Sequence, residues 1–186
     1  MNIPKFYNMN SYHHLYNKCV NKDKIFFEDN DYNYFMRKIT EYKEKYEIRI
    51  NCFCLLPNHF HLFVKQLTIS KSIGKFISDL TNTYTKAINK KYGRTGVLLE
   101  GTTKSKLITD EEYFLWLCKY ILTNPVKAGL VNKPDKWKYS SAGEYLDILD
   151  LNLTDTKEIL GRFNSKEEFI SFIESDKIKF DYSLLF

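Results

Sequence analysis

The sequence lacks the features that mark membrane and secreted proteins. No stretch of about 18 apolar residues occurs, so no segment is predicted to cross a bilayer. Residues 1–5 lack the apolar run of a signal peptide. We therefore expect a cytoplasmic protein that is not attached to a membrane. Its 186 residues suit one domain of ordinary size, and no repeat or low-complexity tract interrupts them.

Cysteine pairing signals are absent as well. No CxxC pair occurs, and the two cysteines that lie two residues apart would share one face of a strand. Buried free thiols are the favoured interpretation, with a disulfide or a zinc site as the alternatives. The four cysteines are Cys19, Cys52, Cys54 and Cys118.

Positive charge is unevenly placed along the chain. The net charge is +5, from 28 basic and 23 acidic residues. Between residues 86 and 106 lie six basic residues against Glu100 alone, so that window carries the whole excess. A local basic surface suits a polyanion, and an ordinary solvated surface is the alternative. The six residues are Lys86, Lys90, Lys91, Arg94, Lys104 and Lys106.

The order of predicted elements indicates an α+β fold. Residues 11–20, 48–56, 59–65 and 97–99 are predicted as strands, with Pro57-Asn58 joining the second and third in a hairpin. Helices are predicted from about 29 to 46, from Ser70 or Ser72 to about 92, and from a capping box at Thr109 and Glu112 to near Asn124, where Pro125 should end the helix. The order is compatible with a ferredoxin-like antiparallel sheet that carries helices on one face.

The region after about residue 150 differs from the rest. Ser165 begins a second capping-box pattern before a short amphipathic helix. We predict a domain at 1–149 and a helical C-terminal appendage at 150–186.

A histidine pair follows the predicted hairpin turn. Residues two apart in a strand share a face and lie roughly 6.6 Å apart, so His59 and His61 should point one way together. The alternating residues Phe60, Leu62 and Val64 would point into a core. Two imidazoles at this spacing can bind one divalent cation, although they could also lie on a solvated strand face.

A tyrosine on the third predicted helix has a polar neighbour one turn away. Tyr120 and Asn124 are four residues apart and share a helix face. Most tyrosines at such positions are core residues. A phenol can also attack phosphorus and leave again, and an amide oxygen can bind a metal.

These segments resemble the REP-associated tyrosine transposases, which belong to the single-tyrosine HUH transposases. The HUH motif, two histidines around an apolar residue, is matched by PNHFHLF at 57–63, and the tyrosine motif by YILTNPVKAGLV at 120–131. Further matches are YHHLYNKCVNKDKIFF at 12–27, YTKAINKKYGRTGVLLEG at 84–101 and WKYSSAGEYL at 137–146. The family's aromatic-Gln-Gly-Arg run is replaced by LLEGTT at 98–103, where Lys104 and Lys106 are the nearest substitutes.

The resemblance implies a fold, a reaction and a set of roles. The HUH endonuclease fold would bind Mg²⁺ or Mn²⁺ through His59, His61 and Asn124. Tyr120 would attack a phosphate of single-stranded or hairpin DNA and form a 5′-phosphotyrosyl link. The six basic residues would contact the DNA, and the protein would act as a monomer or homodimer. The alternatives are a replication-initiator or relaxase type of nickase, a non-catalytic nucleic-acid-binding module, and a metal-free interaction domain.

Overall fold

The computed structural model describes residues 8–69 and 72–175, with the backbone alone for Lys22. The predictions for residues 1–5, for Ser70 as a helix cap and for residues 176–186 lie outside this range. Within it, the strands are β1 (Tyr12–Lys18), β2 (Ile48–Leu56), β3 (His59–Gln66) and β4 (Lys104–Ile108). The helices are α1 (Asp29–Tyr46), α2 (Ile73–Lys91), α3 (Glu111–Lys127), α4 (Ala142–Tyr145), α5 (Lys157–Leu160) and α6 (Lys166–Glu174).

The sheet has the strand order β2-β3-β1-β4 with every neighbouring pair antiparallel. Together with the chain order β1-α1-β2-β3-α2-β4, this is the ferredoxin-like arrangement, so the predicted fold class is confirmed. Lys18 pairs with His59 at one end of the sheet, and Tyr12 pairs with Lys65 at the other. We call these the Lys18 end and the Tyr12 end.

Two apolar clusters cover the two faces of the sheet. The back face carries Leu15, Phe60, Leu62 and Val64, which pack with residues of α1 and α2. The front face carries His14, Tyr16, Cys52, Cys54, His61 and Phe63, and it packs against α3. The prediction of helices on one face is therefore wrong, because the front face lies under α3 rather than under solvent.

Both predicted ends of α3 are corrected by the structure. The N-cap is Asp110, whose Oδ1 accepts a hydrogen bond from the Tyr113 N–H at 2.7 Å, so the pattern starting at Thr109 is not the cap. Pro125 lies inside the helix, which continues to Lys127. The helix ends where Gly129 adopts φ +69°, a left-handed conformation that glycine adopts without steric cost.

The fourth strand is also displaced from its predicted position. Residues 97–99 form no strand, and Leu99 makes only an isolated bridge with Cys19. Leu98 and Leu99 are apolar because they fill the back-face core from a loop. The strand is Lys104–Ile108, whose charged residues suit an exposed sheet edge.

The segment from 150 to 175 packs on α3 and the sheet. Phe169 and Ile173 of α6 belong to the front-face cluster. The Lys119 ammonium of α3 donates to the Phe172 carbonyl at 2.6 Å. At the Tyr12 end, Glu158 accepts from the Tyr12 hydroxyl and from Lys65. Ser165 caps α6 as predicted.

All four cysteines are buried and free, as predicted, with Cys52 and Cys54 together in the front-face cluster. In the part of the chain that the structure describes, no helix is both long and apolar enough to span a bilayer.

Candidate active site

The histidine pair lies on the front face at the Lys18 end. β3 begins at His59, directly after the Pro57-Asn58 turn, and its alternation directs His59 and His61 to the same face. Their ring centroids are 5.1 Å apart. Because α3 covers this face, His61 is only 2% exposed, and the alternative of a solvated strand face does not hold for it.

Each imidazole has one nitrogen held by a neighbouring side chain. His59 Nδ1 lies 2.7 Å from Asn58 Oδ1, and His61 Nδ1 lies 2.9 Å from His14 Nε2. If His61 donates from Nδ1 to His14, its Nε2 keeps a lone pair that can bind a metal. That Nε2 is buried and has no hydrogen-bond partner among the described residues. A bound cation would supply the partner that this buried nitrogen lacks.

Burial keeps the three imidazoles neutral. It lowers the pKa of His14 to about 3, and nearby Lys106 contributes to that shift. Burial, followed by the neighbouring His14 and His59, lowers the pKa of His61. Burial also lowers the pKa of His59, opposed by a hydrogen bond with Asn124. Neutral imidazoles are the form that binds metals.

The tyrosine helix brings its two predicted residues to these histidines. The Tyr120 ring meets the His61 ring edge-to-face at a centroid distance of 5.3 Å. One turn further along α3, the Asn124 side chain lies beside His59 and acts to raise the pKa of that imidazole. Tyr120 also stacks on Trp116 at 5.2 Å and is 7% exposed. The i, i+4 spacing therefore places Tyr120 beside His61 and Asn124 beside His59.

Sequence reasoning missed two members of the site, both on β1. His14 supports His61, and the ring centroid of Tyr16 lies 6.0 Å from that of His61. Burial raises the pKa of Tyr16. Both residues occupy alternate positions of a strand, but their proximity to His61 depends on the β1–β3 register, which the sequence does not encode locally.

A pocket of about 330 Å³ opens beside the histidines. Asn58 and Lys104 line it, and so do Lys18 and Glu100, which form an ion pair at 3.2 Å. Glu100 had stood out as an acid within the basic window, and this pairing with Lys18 compensates its charge.

The six basic residues do not form one continuous surface. Lys104 and Lys106 lie on β4, next to β1, and their ammonium groups approach the rings of Tyr16 and Tyr113. The other four belong to the last turns of α2 and the following loop, on the back-face side. Of these, Lys91 pairs with Asp31 and Glu28, and Arg94 pairs with Asp23.

The donor set fits a catalytic divalent cation better than a structural one. Across residues 8–69 and 72–175, no three His, Cys, Asp or Glu side chains form a group that could hold a metal ion. The available ligands are His59, His61 and the Asn124 amide oxygen. Three ligands of this kind leave coordination positions for water and phosphate oxygens, as catalytic sites require.

Comparison with known proteins gives a family and supports the fold. Residues 7–120 match the family model described as "Transposase IS200 like". The chain has a TM-score of 0.68 with the structure of a REP-associated tyrosine transposase bound to a REP hairpin, at 15% identity, covering 83% of this chain and 97% of that one. A transposase-like protein from Deinococcus radiodurans R1 covers 65% of this chain and 95% of its own, at 12% identity and a TM-score of 0.46. No curated protein matches. The family match spans more than half of the sequence, and the chain belongs to the IS200-like transposase family.

Proposed function

We propose that this transposase-family protein cleaves and rejoins single-stranded DNA through Tyr120, with a divalent cation held by His59, His61 and Asn124. The observation that carries the proposal is the pairing of Tyr120 with His61 and of Asn124 with His59. These pairs place the proposed nucleophile, two neutral imidazoles and an amide oxygen together at the Lys18 end of the sheet. The oligomeric state, a monomer or a homodimer, stays a prediction.

The reaction is a transesterification that conserves a phosphodiester bond. The Tyr120 oxygen forms a bond to the scissile phosphorus as the bond from phosphorus to the 3′ oxygen breaks. The departing 3′ oxygen keeps the electron pair and takes up a proton, and the phenolic proton passes to solvent. The products are a 5′-phosphotyrosyl link and a 3′-hydroxyl. A second 3′-hydroxyl reverses the step and releases Tyr120, so no ATP is needed.

The protein's own contribution is to hold these groups in place. His14 and Asn58 fix the ring orientations of His61 and His59, and Trp116 stacks on the nucleophile. When bound, Mg²⁺ or Mn²⁺ would polarise the phosphate oxygens and offset developing negative charge.

We propose that the DNA is a single strand beside a hairpin. A structural relative was solved with a REP hairpin, and this chain shares its fold. Lys104 and Lys106 lie nearest to the histidines and would contact the strand entering the site. Lys86, Lys90, Lys91 and Arg94 would contact a duplex that extends past the back-face side.

Incubation with hairpin DNAs that carry single-stranded flanks, in Mn²⁺, tests the nucleophile. We expect a covalent protein–DNA band on a denaturing gel for the unmodified protein and none for Tyr120→Phe, which removes one oxygen and little volume. Tyr16→Phe is the matched control, because the Tyr16 ring also lies against the rings of His14 and His61. It should keep the band.

Mass spectrometry of the trapped and digested adduct identifies the modified residue. The nucleotide should lie on the peptide that contains Tyr120. An adduct on Tyr16, or full cleavage by Tyr120→Phe, would overturn the assignment. DNA binding by unmodified protein without any adduct would favour the non-catalytic binding module.

We also propose that the chain consists of a domain at 1–149 and a C-terminal appendage that begins at residue 150. The contacts of Phe169, Lys119 and Glu158 suggest that residues 150–175 brace α3 against the sheet. Limited proteolysis tests this: a stable fragment ending near residue 149 that still cleaves DNA would show that the brace is dispensable.

A further inference from the structure

The continuation of α3 through Pro125 brings an additional residue onto the nucleophile's face. A helix ending at Asn124 would have left Lys127 in a loop. Because the helix runs to Lys127, Tyr120, Asn124 and Lys127 are spaced i, i+4 and i+7 and share one face. The Lys127 ammonium lies 5.2 Å from the centre of the Tyr120 ring.

Lys127 differs from the groups around it in charge and exposure. Tyr120, Asn124 and His61 are buried, and the imidazoles are neutral for the reasons given above. Lys127 is exposed at the end of the helix nearest the Lys18 end. It therefore brings a positive charge from the solvent side to a nucleophile that lies at the edge of the core.

We propose that Lys127 is a phosphate-binding residue that holds the scissile phosphate beside Tyr120; the proposal rests on the function given above. When the Tyr120 oxygen reaches phosphorus, the non-bridging oxygens must lie close to the tyrosine ring. The Lys127 ammonium lies over that ring and can donate to one of them. In the covalent intermediate the phosphate stays attached to Tyr120, so the same contact continues until the strand is rejoined.

The geometry also explains why a proline is tolerated at position 125. Proline lacks the N–H that would bond to the Ile121 carbonyl, and an interior proline costs a helix about 3 kcal/mol or more. Ile121 and Leu122 belong to the front-face cluster and Pro125 is itself buried, and the burial of these side chains offsets that cost. The left-handed Gly129 then ends the helix only after Lys127 has been placed.

A double-mutant cycle between protein and DNA tests the contact without relying on cleavage. All variants carry Tyr120→Phe, and binding of a hairpin DNA with single-stranded flanks is measured by fluorescence anisotropy. Single phosphates are replaced in turn by methylphosphonate, which is uncharged. Lys127→Gln should weaken binding of the all-phosphate DNA by about tenfold, as expected for loss of a charge-assisted hydrogen bond. It should change binding less than twofold when the contacted phosphate is already neutral.

Two controls separate this contact from a general effect of charge. Lys157→Gln removes an exposed lysine on α5, near the Tyr12 end, and should show no coupling with any methylphosphonate position. Lys127→Arg keeps the charge and should retain the coupling. A plot of log affinity against log salt has a negative slope. For Lys127→Gln this slope should become less steep by about 0.7, the value for one single-strand phosphate contact.

Each combination of results has one meaning. Coupling at the phosphate that the unmodified protein cleaves supports the proposal. Coupling at a different phosphate, or at none, overturns it even if cleavage occurs. Coupling at a single phosphate without any cleavage by the unmodified protein would keep Lys127 as a phosphate site and overturn the proposed reaction.

Discussion

On the back face of the sheet, β3 contributes Phe60, Leu62 and Val64 to an apolar core, whereas on the front face the same strand contributes His59 and His61. Both faces are covered by helices. The front face nevertheless retains two buried ring nitrogens, His14 Nδ1 and His61 Nε2, for which the described residues supply no hydrogen-bond partner. Such atoms cost about 1–3 kcal/mol each. This contrast is what we expect if the back face stabilises the fold and the front face binds a ligand, as proposed above.

The largest expected effect is on the back face. Phe60→Ala should lower the free energy of unfolding by about 3–5 kcal/mol, because it removes a fully buried ring and leaves a cavity. Urea denaturation followed by circular dichroism measures the change. A loss below about 1 kcal/mol would mean that the back-face core relaxes around the missing ring.

The matched experiment on the front face should have the opposite sign. The double variant His14→Leu with His61→Leu replaces a pair of hydrogen-bonded, partly unsatisfied imidazoles by apolar side chains of similar size. Without metal it should be more stable than the unmodified protein by about 1–3 kcal/mol, while cleavage is lost. His61→Leu alone should be close to neutral, since it leaves His14 Nε2 without its partner. Strong destabilisation by the double variant would show that the imidazole pair supports the fold.

A smaller effect should separate His14 from its neighbour His13. Both are buried on β1, but His13 contacts Ser11 and Ser105, whereas His14 contacts His61. If His61 binds the cation, His14→Leu should weaken Mn²⁺ binding by about 10–100-fold, the usual cost of losing a residue that orients a metal ligand. Isothermal titration calorimetry measures it. His13→Leu should leave Mn²⁺ affinity unchanged, and equal losses in both variants would point to a general packing defect.

The sequence predicted the back-face elements better than the front-face site. Sequence patterns identified α1 and α2, because each places one continuous apolar stripe against the back-face core, and β2 and β3, because both are runs rich in apolar residues. Periodicity failed at β4, an edge strand with few apolar residues. The helix-breaking preference of proline failed at Pro125, where tertiary packing outweighs it. Short motifs predicted His59, His61, Tyr120 and Asn124 as site residues; the structure brings their side chains together, and their roles stay predictions. His14, Tyr16 and Lys127 were missed because their positions depend on strand register and on where α3 ends.

The smallest effect concerns the Asp31 carboxylate, which lies behind the back face and is fully hydrogen-bonded. Burial alone would raise the pKa of Asp31, but hydrogen bonds from Lys91, Tyr92 and the backbone N–H groups of Phe27 and Glu28 outweigh it, so the pKa lies below its ordinary value of 3.8. A carboxyl whose folded pKa is depressed contributes stability above its unfolded pKa, and that stability is lost as the pH falls through the folded value. Asp31→Asn should therefore lower the urea midpoint at pH 7 and make it less dependent on pH below about 4.

Asp29→Asn is the control for this prediction. Asp29 also has a lowered pKa, through its hydrogen bond with Lys138, but both partners are exposed, and exposed ion pairs contribute little. Its urea midpoint at pH 7 should stay close to that of the unmodified protein. If the two variants shifted the midpoint equally, burial would not distinguish Asp31, and the contrast between a satisfied carboxylate behind the back face and unsatisfied imidazoles on the front face would lose its energetic basis.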